Sequence, residues 1–144
     1  MGRNTAPAIA LACLSIDRDD LVLVTPSDHL VKDTVAYAAA VMQAKELALK
    51  NYLVTFGIKA DYAETGFGYI EVDKKHGNNV LSFKEKPDIE TAQLYVDASN
   101  YYWNVGMFCF KAGVFLDELQ THSVDLYQSC LNAFEQKNVS DCKT

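Results

Sequence analysis

Leu21-Val-Leu-Val-Thr-Pro-Ser-Asp-His29 is a short unbroken apolar run that ends in a polar turn. Charge precedes it at Asp19 and Asp20, and Pro26 follows. Such a run predicts a strand buried on both faces. In open α/β sheets ligands bind beyond the carboxyl ends of strands, so Asp28 stands where a catalytic or metal-binding carboxylate is useful.

Outward from this strand, helix and strand signals alternate, the signature of a layered α/β fold. Ala6 to Ile16 reads as a helix. Asp33 is placed to cap another, running to about Lys50, with Val35, Ala38, Ala39, Met42 and Leu49 on one face. Tyr52 to Ile58 is the next strand. Gly68 to Val72 and Val80 to Lys84 are two short strands joined by Lys74-Lys-His-Gly-Asn-Asn79, which has hairpin-loop composition, and the pair is expected to form a flap. Asp88 is placed to cap a short helix through Val96. Tyr101 to Phe110 reads as a strand, and helices follow at Val114 to Gln120 and Val124 to Lys137. No repeat or linker marks a second domain, so residues 1–144 are expected to form one, partial, domain.

The 144 residues, 49% of them hydrophobic, suffice for the core of about one domain. The net charge of −6 and the lack of a Lys/Arg cluster argue against a nucleic-acid surface, which needs dense positive charge. Cys13, Cys109, Cys130 and Cys142 form no C-x-x-C pair and the three histidines are dispersed, so no zinc site is legible. Cys13 and Cys109 read as small buried hydrophobes in a reducing compartment. Neither a signal peptide nor a membrane-spanning apolar run is present, and the chain reads as cytoplasmic.

Three segments carry possible chemistry. In Glu64-Thr-Gly-Phe-Gly-Tyr-Ile-Glu71, Gly66 and Gly68 bracket an aromatic and let bare backbone approach a small polar ligand, such as a sugar. In Phe83-Lys-Glu-Lys-Pro87, Glu85 is suited to accept bonds from sugar hydroxyls and Lys86 to hold a phosphate, although a solvated charged turn has the same composition. Tyr102-Trp-Asn-Val-Gly-Met-Phe108 sets the Asn104 amide among aromatics, either as a structural clip or as a reader of hydroxyls.

In this order the segments resemble the nucleotide-sugar pyrophosphorylases, most closely the mannose-1-phosphate guanylyltransferases. Gly2-Arg-Asn-Thr-Ala-Pro-Ala-Ile-Ala10 is similar to that family's G-R-N-T-A-P-A-I-A, and Pro26-Ser-Asp-His29 to its P-A-D-H. Thr55 to Glu71 is similar to T-F-G-I…P-E-T-G-Y-G-Y-I-E, Phe83 to Pro87 to F-x-E-K-P, and Trp103 to Phe108 to W-N-S-G-M-F. The resemblance implies a Rossmann-like nucleotidyltransferase fold with a mixed, mainly parallel sheet in three α/β/α layers, incomplete at its N-terminus. It implies transfer of GMP from GTP to mannose 1-phosphate, giving GDP-mannose and pyrophosphate. By the same resemblance Asp28 would hold Mg²⁺, and Arg3, Asn4 and Thr5 would lie near the guanine nucleotide. Gly66 and Gly68 would line the sugar site, Glu85 and Asn104 would contact mannose hydroxyls, and Lys86 would contact the sugar phosphate.

The departures from the family pattern are Ser27 for alanine, Ala63 for proline, Phe67 for tyrosine and Val105 for serine. Ala63 loosens the entry to the glycines, and Phe67 and Val105 each remove a hydroxyl. The family's opening glycine-rich phosphate loop has no counterpart here, and its later metal-binding carboxylate would fall beyond Thr144. The chain is therefore expected to be an internal portion of a longer enzyme and a poor catalyst by itself, with an open sheet edge that favours dimerisation. Some family members add a C-terminal cupin domain with isomerase activity, which these residues would not support. The rival readings are a pyrophosphorylase for another sugar 1-phosphate and a non-catalytic nucleotide-sugar-binding or regulatory subunit.

Overall fold

A computed structural model describes residues 5–141. They form two compact units: residues 5–54 with 108–141, and residues 55–107.

The first unit contains α1 (Ala6–Leu14), β1 (Leu21–Val24), α2 (Thr34–Leu49), α4 (Ala112–His122) and α5 (Val124–Asp141). It also holds the C-terminal residues of β5 (Tyr101–Lys111), which pair antiparallel with β1 from Leu21 opposite Lys111 to Val24 opposite Phe108. The core is Cys13, Phe110, Ala112 and Leu116, with Ile9, Val22, Val24 and Tyr127 packed against it. Burial pushes the Cys13 and Cys109 thiols up, which keeps them protonated and unreactive. Arg18 joins the strand entrance to α4: its carbonyl accepts from Gly113 N–H at 2.8 Å and its Nη2 donates to Asp117 Oδ1 at 2.7 Å.

α2 begins as expected, with Asp33 Oδ1 accepting from Ala36 N–H at 2.9 Å. Its inward face is not the expected one. Val35, Ala38, Ala39, Met42 and Leu49 are exposed, whereas Ala44 and Ala48 are buried and Tyr37, Ala40 and Val41 half-buried. Apolar residues surround this helix, so periodicity does not select a face, and the small alanines go inward where backbones approach. β1 is also less enclosed than expected, because Leu23 is exposed.

The second unit contains β2 (Val54–Lys59, from Thr55 on), β3 (Gly68–Asp73), β4 (Asn79–Lys84), α3 (Ile89–Ala98) and the first residues of β5. β3 pairs antiparallel with both β4 and β5, and β2 also pairs with β5. The hairpin is thus built into the sheet rather than standing free as a flap. The α/β class expected from the sequence holds. The β3–β4 hairpin is antiparallel, as its loop composition implies, and β1–β5 and β3–β5 are antiparallel rather than parallel because β5 runs against β1 and β3. In the hairpin turn Asp73 lies 2.6 Å from His76 Nδ1 and accepts from Lys75 N–H at 2.9 Å, and the His76 contact, followed by the Lys75 bond, holds its carboxyl below the usual range.

The core of this unit is Ala60, Tyr69, Ala92 and Trp103, joined by Tyr95, Val96 and Tyr101. Asp88 caps α3 as expected, accepting from Thr91 N–H at 2.8 Å, and this bond lowers its pKa. Gly57 is required by close approach: a Cβ there would lie 2.7 Å from Tyr102 Cβ.

Candidate functional site

The β3–β5 register sets Gly68 opposite Asn104 and Tyr69 opposite Trp103. Side chains directly opposite across a ladder share a face, so the first pair lies on one side of the sheet and the second on the other. Tyr69 and Trp103 fill the core. On the Gly68 side, a Cβ added to the glycine would sit 3.2 Å from Glu85 Oε2, 3.4 Å from the Lys84 carbonyl and 3.7 Å from Asn104 Cβ. The absent side chain leaves a shallow cradle walled by a carboxylate and an amide.

Asn104 Oδ1 accepts from Gly106 N–H at 3.1 Å, within β5, where Gly106 has φ of 68°. The amide is therefore a clip through its oxygen, while its Nδ2 hydrogens keep no partner among the described residues. Glu85 is exposed and 3.7 Å from Lys86 Nζ. A carboxylate acceptor and an amide donor beside bare backbone suit a polyhydroxyl ligand.

Lys86 has φ of 36°, a left-handed conformation, immediately before Pro87. Proline restricts its predecessor to extended backbone and a non-glycine left-handed residue is strained, so about 1–3 kcal/mol is held at this position. Strain of that kind clusters at ligand sites.

The segment entering the glycines is tied down by side chains that the sequence reading passed over. Glu64 Oε1 accepts from Gly66 N–H at 2.8 Å, and the Tyr69 hydroxyl engages both the N–H and the carbonyl of Glu64. Tyr62 and Phe67 meet the Trp103 ring edge-on, with centroids 4.7 and 5.7 Å away. The signal available in the sequence was a tyrosine at a core-facing strand position, whose hydroxyl must find a partner.

Structure thus brings Gly68, Glu85, Lys86 and Asn104 together, with Gly66 just upstream. Asp28 and Thr5 belong to the first unit. Asp28 is exposed on the turn after β1 and makes no hydrogen bond or ion pair among the described residues. Thr5 precedes α1, its side chain makes no capping bond, and its carbonyl accepts from Ile9 N–H at 3.1 Å. Arg3 and Asn4 lie outside the described residues. Among the described residues no three His, Cys, Asp or Glu side chains gather as metal ligands. A single exposed carboxylate nevertheless fits a hard cation that takes most of its oxygens from water and substrate phosphates.

The sequence profile of the family described as Nucleotidyl transferase matches residues 1–143. The chain belongs to this family. Its members generally use a divalent metal ion. The chain is 46% identical over 141 residues to a mannose-1-phosphate guanylyltransferase of Salmonella muenchen, covering 92% of this chain and 30% of that protein. It is 47% identical over 138 residues to the xanthan biosynthesis protein XanB of Xanthomonas campestris pv. campestris strain B100, covering 93% and 30%. The chain thus spans about 30% of the length of these curated relatives. A crystal structure described as mannose-6-phosphate isomerase from Helicobacter pylori superposes with a TM-score of 0.86 at 48% identity, covering 94% of this chain and 52% of that one. The fold is accordingly the nucleotidyltransferase type of α/β fold. No helix among the described residues is long and apolar enough to cross a membrane.

Proposed function

We propose that this chain is part of an enzyme that transfers GMP from GTP to mannose 1-phosphate, releasing pyrophosphate and giving GDP-mannose. The cradle at Gly68 carries the reading, because it offers a hydroxyl acceptor, a hydroxyl donor and a nearby ammonium on one unit. The identity to mannose-1-phosphate guanylyltransferases supports the choice of sugar and base.

In this reading Glu85 accepts hydrogen bonds from mannose hydroxyls, the Asn104 amide donates to one, and the Gly68 backbone lets the ring come close. Gly66 lines the approach, and Lys86 neutralises the sugar phosphate. A phosphate oxygen of mannose 1-phosphate then forms a bond to the α-phosphorus of GTP. The bond from that phosphorus to the bridging oxygen breaks, and its electron pair leaves with pyrophosphate. No covalent enzyme intermediate is needed, so the protein contributes positioning and charge neutralisation. Asp28 would hold Mg²⁺, which when bound supplies Lewis-acid stabilisation of the triphosphate charge. Arg3, Asn4 and Thr5 would face the guanine nucleotide. GTP consumption and the unpaired buried thiols of Cys13, Cys109 and Cys130 fit a reducing, cytoplasmic setting. A homodimer formed over the outer edge of β1 is part of the same proposal.

Pyrophosphate release from GTP, mannose 1-phosphate and Mg²⁺ tests this, run on the chain and on a form extended to the length of its relatives. Turnover of the extended form with mannose 1-phosphate and not with glucose 1-phosphate is expected. Silence in both forms would leave a binding or regulatory role.

A further inference from the structure

The sheet's two faces are coupled at Tyr69. Its ring is fully buried, tilted against Tyr95 at 5.3 Å between centroids, on the face opposite the Gly68 cradle. Its hydroxyl accepts from Glu64 N–H at 3.0 Å and donates to the Glu64 carbonyl at 2.9 Å. These two bonds grip both ends of one residue's backbone and so fix its orientation as well as its place. The Glu64 carboxylate in turn accepts from Gly66 N–H at 2.8 Å. Bonds therefore run from a core hydroxyl, through Glu64, to the first glycine of the wall, and Gly68 follows two residues later at the start of β3.

We propose that Tyr69 is a positioning residue for the sugar site: from the core it latches the segment that sets Gly66 and Gly68 against the ligand. The inference rests on the sugar-binding reading of that cradle. It assigns no contact between Tyr69 and the substrate. A latch of this kind is needed here because the segment from Asp61 to Phe67 forms no helix or strand and holds glycine at Gly66, so its backbone has no regular hydrogen bonds to order it. Trp103, Tyr62 and Phe67 pack this segment but give no direction to its N–H and carbonyl groups, whereas the Tyr69 hydroxyl does.

Tyr69→Phe keeps the ring and removes the latch. Two readouts test it: exchange of the Gly66 amide in the ligand-free chain, and affinity for mannose 1-phosphate followed at the Gly68 amide. Gly66 exchange is expected to rise about fivefold and affinity to fall about tenfold, as local opening becomes easier. Val72→Ala, a truncation of a buried residue on the same strand, lowers stability without touching the latch and should move neither. Glu64→Ala leaves the core intact and removes the last bond of the relay, so it should reproduce both effects. Unchanged Gly66 exchange in Tyr69→Phe, or an equal loss of affinity in Val72→Ala, would overturn the proposal. A wild-type chain that ignores mannose 1-phosphate would instead refute the sugar reading, while Gly66 exchange still decides whether the latch exists.

Discussion

The turn after β1 and the segment before β3 both carry predicted site residues, yet they are built oppositely. Asp28 stands exposed with no partner among the described residues, whereas Gly66 and Gly68 are held by Glu64, by Tyr69 and by a strand register. The difference fits the chemistry proposed for each. A carboxylate that shares a hydrated cation with a substrate needs reach and solvent, and its geometry is completed by what binds. Neutral hydroxyls are recognised by direction, and direction has to be fixed before the ligand arrives.

The largest effect should come from the support of the second region. Gly57→Ala drives a methyl into Tyr102 Cβ at 2.7 Å, between paired strands with little room to move. A loss of about 2 kcal/mol or more is expected in denaturant unfolding, as for other overpacked cores. Next, Gly68→Ala fills the cradle against Glu85 Oε2 at 3.2 Å. The exposed glutamate can swing away, so stability should change by less than about 1 kcal/mol, while mannose 1-phosphate affinity falls by about tenfold or more, a difference isothermal titration resolves.

Asp28→Asn should show the reverse of Gly57→Ala: unfolding moves by under about 0.5 kcal/mol because the side chain is exposed and unpaired. Turnover of the extended form should fall about 100-fold through lost metal binding. Equal stability losses in the two variants would break the contrast between the regions.

The smallest effect is acid sensitivity at the α3 cap. The Thr91 backbone bond lowers the Asp88 pKa in the folded state. Its contribution is therefore fully present above the ordinary carboxylate value of about 3.9 and is lost as pH falls through the lower folded value. The Thr91 amide should titrate with a midpoint below that value, and a midpoint above it would contradict the cap.

Much of this was legible because it rests on local chemistry. Asp33 and Asp88 announced helix starts, Pro26 and Pro87 bounded strands, and the glycines around Phe67 marked close approach. The inward face of α2 was not legible, since Val35, Met42 and Leu49 offered as good an apolar stripe as Tyr37, Val41, Ala44 and Ala48. Only tertiary packing chooses between them. The β3–β4 hairpin was legible in its loop, whereas the antiparallel β1–β5 and β3–β5 registers depend on the long-range placement of β5, which no local pattern encodes. At the site, residue types suggested Glu85, Lys86 and Asn104 from their own chemistry. The Tyr69 latch stayed hidden because a tyrosine on a strand face reads as core, and its hydroxyl partner is a backbone with no sequence signature.

The central claim is that the Gly68 cradle binds the sugar phosphate. Titration of mannose 1-phosphate into the chain, followed by backbone and side-chain amide resonances, tests it most directly. Saturable shifts at Gly68, Lys86 and the Asn104 side-chain amide, with a midpoint raised about tenfold or more by Gly68→Ala, are the predicted result. Shifts absent from these residues at saturating ligand, or unaltered by Gly68→Ala, would contradict it.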